Sequence, residues 1–101
     1  VDTHIVAVAR EKSRDMFVRS YFSHYDPDGK NAADRMSTAG VGFTLVGENL
    51  AYAPDVETAH EGLMNSEGHR MNILEPRFHR VGIGVIDGGI YGKMFTQVFA
   101  D

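Results

Sequence analysis

The stretch Val81-Gly82-Ile83-Gly84-Val85 constrains this chain more than any other. It alternates β-branched residues with glycine, so one face of a strand carries apolar side chains and the other carries none. A bare face marks a place where another element lies close, either a packed helix or a neighbouring strand. Asp87-Gly88-Gly89 reads as a turn, and Tyr91 to Phe99 returns as a second strand. The chain therefore ends on an antiparallel hairpin spanning Val81 to Ile86 and Tyr91 to Phe99.

Helical spacing dominates what precedes it. Ile5, Val8, Ala9, Met16 and Phe17 recur at three to four residues over Thr3 to Ser20, with Arg10, Glu11, Lys12, Arg14 and Asp15 mostly on other faces. His24 to Lys30 is rich in turn residues, and Asn31 is placed to cap a short helix that runs to Ala39. Extended structure is expected at Phe43 to Val46 and Glu48 to Tyr52 around Gly47. Asp55 is positioned to cap a helix over Val56 to Asn65 that Gly68 closes, with one further turn at Met71 to Leu74. Helices first and a hairpin last predict an α+β fold with an antiparallel sheet.

At 101 residues the chain is long enough for one core, so a single domain over residues 1–101 is expected. The start on Val1 rather than Met reads as an amino terminus trimmed from a longer product. A net charge of -4 gives no electrostatic footprint for nucleic acid, and no apolar run reaches bilayer-spanning length. The absence of cysteine removes disulfides and thiolate metal sites.

Three familiar signatures fail on specific residues. His60-Glu61-Gly62-Leu63-Met64 begins like a zinc-protease helix, but Met64 stands where the second histidine is needed. Asn65-Ser66-Glu67-Gly68 lacks the first glycine and the preceding strand of a nucleophile elbow. Asp26-Pro27-Asp28-Gly29 echoes a calcium loop, with His24 at the first ligand position and Arg35 at the place of the bidentate glutamate.

What remains is a carboxylate, Glu48, in the otherwise small or apolar Gly47-Glu48-Asn49-Leu50-Ala51, and two histidines beside turn signals, His24 and His69. Two imidazoles and one carboxylate are the protein ligands of an open zinc site, and the three segments are expected to converge on one cleft. The plainer alternative is that Glu48 pairs with a histidine or caps backbone amides while the imidazoles form ordinary hydrogen bonds. Asn49, Asn72 and Ser66 are read as supports that satisfy backbone groups or orient a cleft histidine.

Taken in order, Tyr21-Phe22-Ser23-His24 with Pro27-Asp28-Gly29, Gly47-Glu48-Asn49-Leu50-Ala51, Met64-Asn65-Ser66-Glu67-Gly68-His69-Arg70-Met71-Asn72-Ile73-Leu74, and Val81-Gly82-Ile83-Gly84-Val85 with Thr96-Gln97-Val98-Phe99 resemble a bacterial CAP domain. This is the superfamily of cysteine-rich secretory proteins, antigen 5 and plant pathogenesis-related proteins, also called SCP-like extracellular proteins. The resemblance implies a three-layer α-β-α sandwich and an extracellular or cell-envelope location. It also implies a cleft of histidines and acidic residues that in some members holds zinc or another divalent cation. By position His24, Glu48 and His69 match that cleft, and Glu67 lies near the place of a second glutamate. The implied role is that of a monomeric binding module rather than an enzyme, with a metal, a small apolar ligand or a cell-envelope component as partner. A metal-assisted hydrolase using Glu67 or Glu48 and a carrier of lipid or another apolar ligand are the rival readings.

Overall fold

The computed structural model describes residues 2–101, so Val1, the first residue of the expected domain, lies outside the described residues. Helix α1 (Thr3–Val18) and helix α2 (Ala32–Thr38) come first, followed by strand β1 (Val46–Ala53), helices α3 (Val56–Asn65) and α4 (Glu67–Leu74), and strands β2 (Arg80–Asp87) and β3 (Lys93–Ala100). The three strands form one antiparallel sheet in the order β1-β3-β2, which places the last strand in the middle.

Three of the helices start where a side chain can accept an orphan amide. Asp2 accepts from the amides of His4 and Ile5, and Asp55 from that of Thr58. Asn31 and Asp34 form a reciprocal capping box, as the spacing permits. Helix α1 ends at Val18 because Ser20 takes φ 57, a left-handed conformation that cannot continue the helix.

Register and pleat define two faces. Glu48, Leu50 and Tyr52 share a face with Met94, Thr96 and Val98 and with Gly82 and Gly84. This is the face that α1 covers. A Cβ at Gly82 would overlap the backbone of Ile5 and Val6, and one at Gly84 the backbone of Ala9 and Arg10, so the missing side chains are the reason α1 can lie against β2. Ser13 locks the contact, donating to the Gly84 carbonyl at 2.9 Å with the Thr96 hydroxyl 2.7 Å away. The core lies between, with Ile5, Val8, Ala9, Met36 and Val98 in one cluster and Met16, Leu50 and Met94 in the next. On the opposite side α3 and α4 pack against β1, and Phe78 stacks on Phe99 with ring centroids 5.5 Å apart. This is the α-β-α arrangement expected.

Three boundaries and the burial of one residue differ from the sequence reading. Phe43, Thr44 and Leu45 lie outside β1, because the amides of Thr44 and Leu45 bond to the Asp101 carboxylate instead of a strand partner. Gly68 sits inside α4 and does not close α3. The break falls at Ser66, whose extended backbone (φ -97, ψ 119) separates the two helices. Tyr91 belongs to a 3-10 turn over Gly89–Tyr91 rather than to the returning strand, with Gly89 and Gly92 at positive φ completing the reversal. Lys12 does not lie on an outer face of α1; it is 1% exposed.

Candidate functional site

His24 sits in the loop between α1 and α2, and that loop is held by its own chemistry. Asp26 accepts from the amides of Asp28 and Lys30, each at 2.9 Å, and pairs with Arg35 at 3.0 Å. Arg35 also reaches Asp15 at 3.0 Å, and Arg19 bridges Asp15 to Asp28 at 2.9 Å on each side. The arginine at the position a calcium loop would give to glutamate thus neutralises the aspartates itself. Asp15 is pulled down to about 2, chiefly by its hydrogen bond from Arg19 against the opposing effect of burial.

The fixed loop delivers His24 to Glu48, with Nδ1 2.8 Å from Oε1. The two groups differ in exposure. The imidazole is 56% exposed and the carboxylate 5%. Glu48 Oε2 is buried and has no hydrogen-bond partner among the described residues. Beneath them lies Lys12, whose ammonium donates to the His24 carbonyl at 3.4 Å and stands 4.7 Å from the centre of the Tyr21 ring. Burial pushes the Lys12 pKa down, while the Glu48 carboxylate is the strongest charge holding it protonated. Burial also raises Glu48, opposed by the His24 hydrogen bond and by Lys12.

The structure brings His24 and Glu48 into direct contact. Asn49, the neighbour of Glu48, points to the opposite side of the strand. There its Nδ2 donates to the His69 carbonyl at 3.0 Å and to Gln97 Oε1 at 3.1 Å, while Asn72 donates to its Oδ1 at 2.9 Å. Asn72 also reaches the Glu48 carbonyl at 3.3 Å. The His69 ring is engaged by Ser66 Oγ at 2.9 Å from Nδ1. Glu67 is exposed on the first turn of α4 and forms no ion pair among the described residues. Of the four residues expected in one cleft, His24 and Glu48 are in direct contact, the His69 ring bonds to Ser66, and Glu67 is exposed.

A divalent cation does not fit the donors as they stand. Among the described residues no three His, Cys, Asp or Glu side chains gather as a metal-holding group. Of the two Glu48 oxygens, one is engaged by His24 and the other is sealed from solvent. Lys12 is the site residue that the sequence reading passed over. The signal was present: Lys12 falls three residues after Ala9 and four before Met16, within the apolar stripe and not beside it. Phe17, Tyr21, Phe22, Tyr52, Tyr91 and Met94 line a groove of about 880 Å³ between α1 and the sheet.

Comparison with known proteins agrees with this architecture. Among curated proteins, the chain is 37% identical over 100 residues to the uncharacterized protein YkwD of Bacillus subtilis (strain 168), covering 98% of this chain and 38% of that one. It is 39% identical over 99 residues to the uncharacterized membrane protein YlbC of the same organism, covering 97% of this chain and 27% of that one. The chain thus spans well under half the length of these relatives. A crystal structure of an extracellular protein containing a SCP domain from Bacillus anthracis str. Ames superposes with a TM-score of 0.87 at 40% identity, over 98% of this chain and 32% of that one. An outer surface protein from Borrelia burgdorferi shares the fold with a TM-score of 0.90 at 18% identity, over 99% of this chain and 74% of that one. The model of the cysteine-rich secretory protein family, CAP, matches residues 1–99, and this chain belongs to that family.

Proposed function

We propose that this CAP domain is a binding module of the cell exterior or envelope that takes its ligand at the exposed imidazole of His24. The observation that carries this reading is the inequality within the pair. Glu48, almost fully buried, holds one nitrogen of a ring that is otherwise open to solvent. A buried carboxylate fixing a solvent-facing imidazole orients a hydrogen-bonding group at a cost in desolvation, as binding sites do and core pairs do not. The location is supported by the extracellular and outer-surface proteins that share the fold, and no described helix is long and apolar enough to cross a membrane.

The groove lined by Phe17, Phe22, Tyr52 and Tyr91 favours a second reading, an apolar-ligand carrier, because Phe22, Tyr52 and Tyr91 are exposed there. A hydrolase reading has the geometry of an oriented base, with the Glu48 carboxylate holding Nδ1 and leaving Nε2 to act on water. NMR titration with soluble muropeptides and with phosphatidylglycerol vesicles separates these. Shifts centred on His24 that vanish in His24→Ala are expected for the binding module. Shifts confined to the Phe17–Tyr91 groove assign the carrier, and turnover of a peptide or ester substrate lost in Glu48→Gln assigns the hydrolase. Addition of zinc alone shows whether a divalent cation is the ligand.

A further inference from the structure

We propose that the buried ammonium of Lys12 is the resident cation of the His24–Glu48 site and closes that site to divalent metal ions. The inference rests on reading His24 and Glu48 as a binding site, and it deepens that reading by removing one ligand class from it. Lys12 is 1% exposed, yet among the described residues it has a single hydrogen bond, a long one of 3.4 Å to the carbonyl of His24 itself. A lysine ammonium carries three N–H donors, so two are left without an acceptor there. Glu48 Oε2, in the same interior, is a buried acceptor without a donor. The two unfilled groups are of opposite charge and both lie against His24, attracting each other without forming a direct ion pair among the described residues.

The remaining charges facing this pair are already committed. Arg35 from α2 is paired with Asp15 from α1 and Asp26 from the loop, at 3.0 Å each. Tyr21, whose ring flanks Lys12, donates its hydroxyl proton to Asp15 at 2.6 Å. Glu48 is therefore the carboxylate left for Lys12, and Lys12 the cation left for Glu48. A divalent ion bound to Glu48 and His24 would have to break the 2.8 Å hydrogen bond between them. It would also sit against a fixed positive charge that cannot move to solvent, where low polarity strengthens the repulsion. Lys12 does what a metal would do electrostatically, stabilising the Glu48 charge, while supplying no coordination site.

The test is zinc calorimetry at pH 7.5 on the wild type, Lys12→Met, Lys12→Arg and the double variant Lys12→Met with His24→Ala. Wild type and Lys12→Arg are expected to show no saturable binding that depends on His24. Lys12→Met is expected to bind zinc at least tenfold more tightly than wild type, and the double variant to lose that gain. Circular dichroism melts establish that each variant is folded, and Lys12→Gln replaces Lys12→Met if the latter is not. His24-dependent zinc binding by the wild type overturns the proposal, as does a folded Lys12→Met or Lys12→Gln that binds zinc no better than wild type. Because the probe is the metal alone, these outcomes are independent of whether the muropeptide and vesicle titrations succeed.

Discussion

Glu48 and Asn49 are consecutive residues of β1, both removed from solvent, and they are treated in opposite ways. Asn49, fully buried, has its carboxamide bonded to the His69 carbonyl, to Gln97 and to Asn72. Glu48 holds one ring nitrogen and has a second oxygen with nothing to accept from among the described residues. The pleat sends one toward α4 and the other toward α1, so a single strand divides a completed structural network from an incomplete site. A buried network with every member satisfied rigidifies the fold. One that is only partly satisfied marks a place where stability has been given up.

The most severe way to break this comparison is to remove the face that Glu48 depends on. Gly84→Val places side-chain atoms in the backbone of α1, and is expected to cost more than about 4 kcal/mol or to abolish the native state in urea titrations. A cooperative transition near that of wild type would show that α1 need not lie against β2. Next, Asn49→Leu strands the His69 carbonyl and the Gln97 and Asn72 side chains, with an expected loss of about 2 to 4 kcal/mol by the same measurement. A loss below about 1 kcal/mol would mean that these groups find water.

On the other side, the quantity of interest is a coupling. Lys12→Met and Glu48→Gln each leave a buried partner behind, so the double variant is expected to recover about 1 to 3 kcal/mol relative to the sum of the single ones. Additive effects would separate the two charges and weaken the case for a resident cation. His69→Ala should cost less than about 1 kcal/mol, because Asn49 holds the backbone carbonyl of residue 69 and not its ring. A larger loss in a thermal melt would move the ring into the structural network.

The finest contrast is in pH dependence. Burial raises the Glu48 pKa above 4.5, so its contribution to stability is present below that value and lost as pH rises through the native pKa. Asp15, lowered from 3.8 to about 2, contributes above 3.8 and loses its contribution as pH falls toward 2. In denaturation series from about pH 2 to 8, Glu48→Gln should flatten the decline above pH 4.5, and Asp15→Asn should flatten the rise between about pH 2 and 4. Unchanged profiles in both variants would overturn these assignments.

The elements legible beforehand were those whose cause is local. Asp55 and Asn31 cap helices because an acceptor precedes an apolar period by one residue, and Gly82 and Gly84 announce a close approach because a missing Cβ has no other use in a strand. The end of α3 at Asn65 agrees with expectation, whereas the start of α4 at Glu67 does not, because glycine is the ordinary terminator and here Gly68 is accommodated within α4.

The sequence by itself determined helices α1, α2 and α3, the closing hairpin, the bare strand face and the family, since each is written in spacings of two, three or four residues or in ordered motifs. Only the tertiary structure decided that His24 meets Glu48 and that Lys12 is buried beneath them. Contacts between residues 24 positions apart depend on which face of a strand a side chain leaves from and which helix covers that face. One residue further along β1, Asn49 faces α4 instead, a choice settled when β1 pairs with β3 and α1 closes over the glycines.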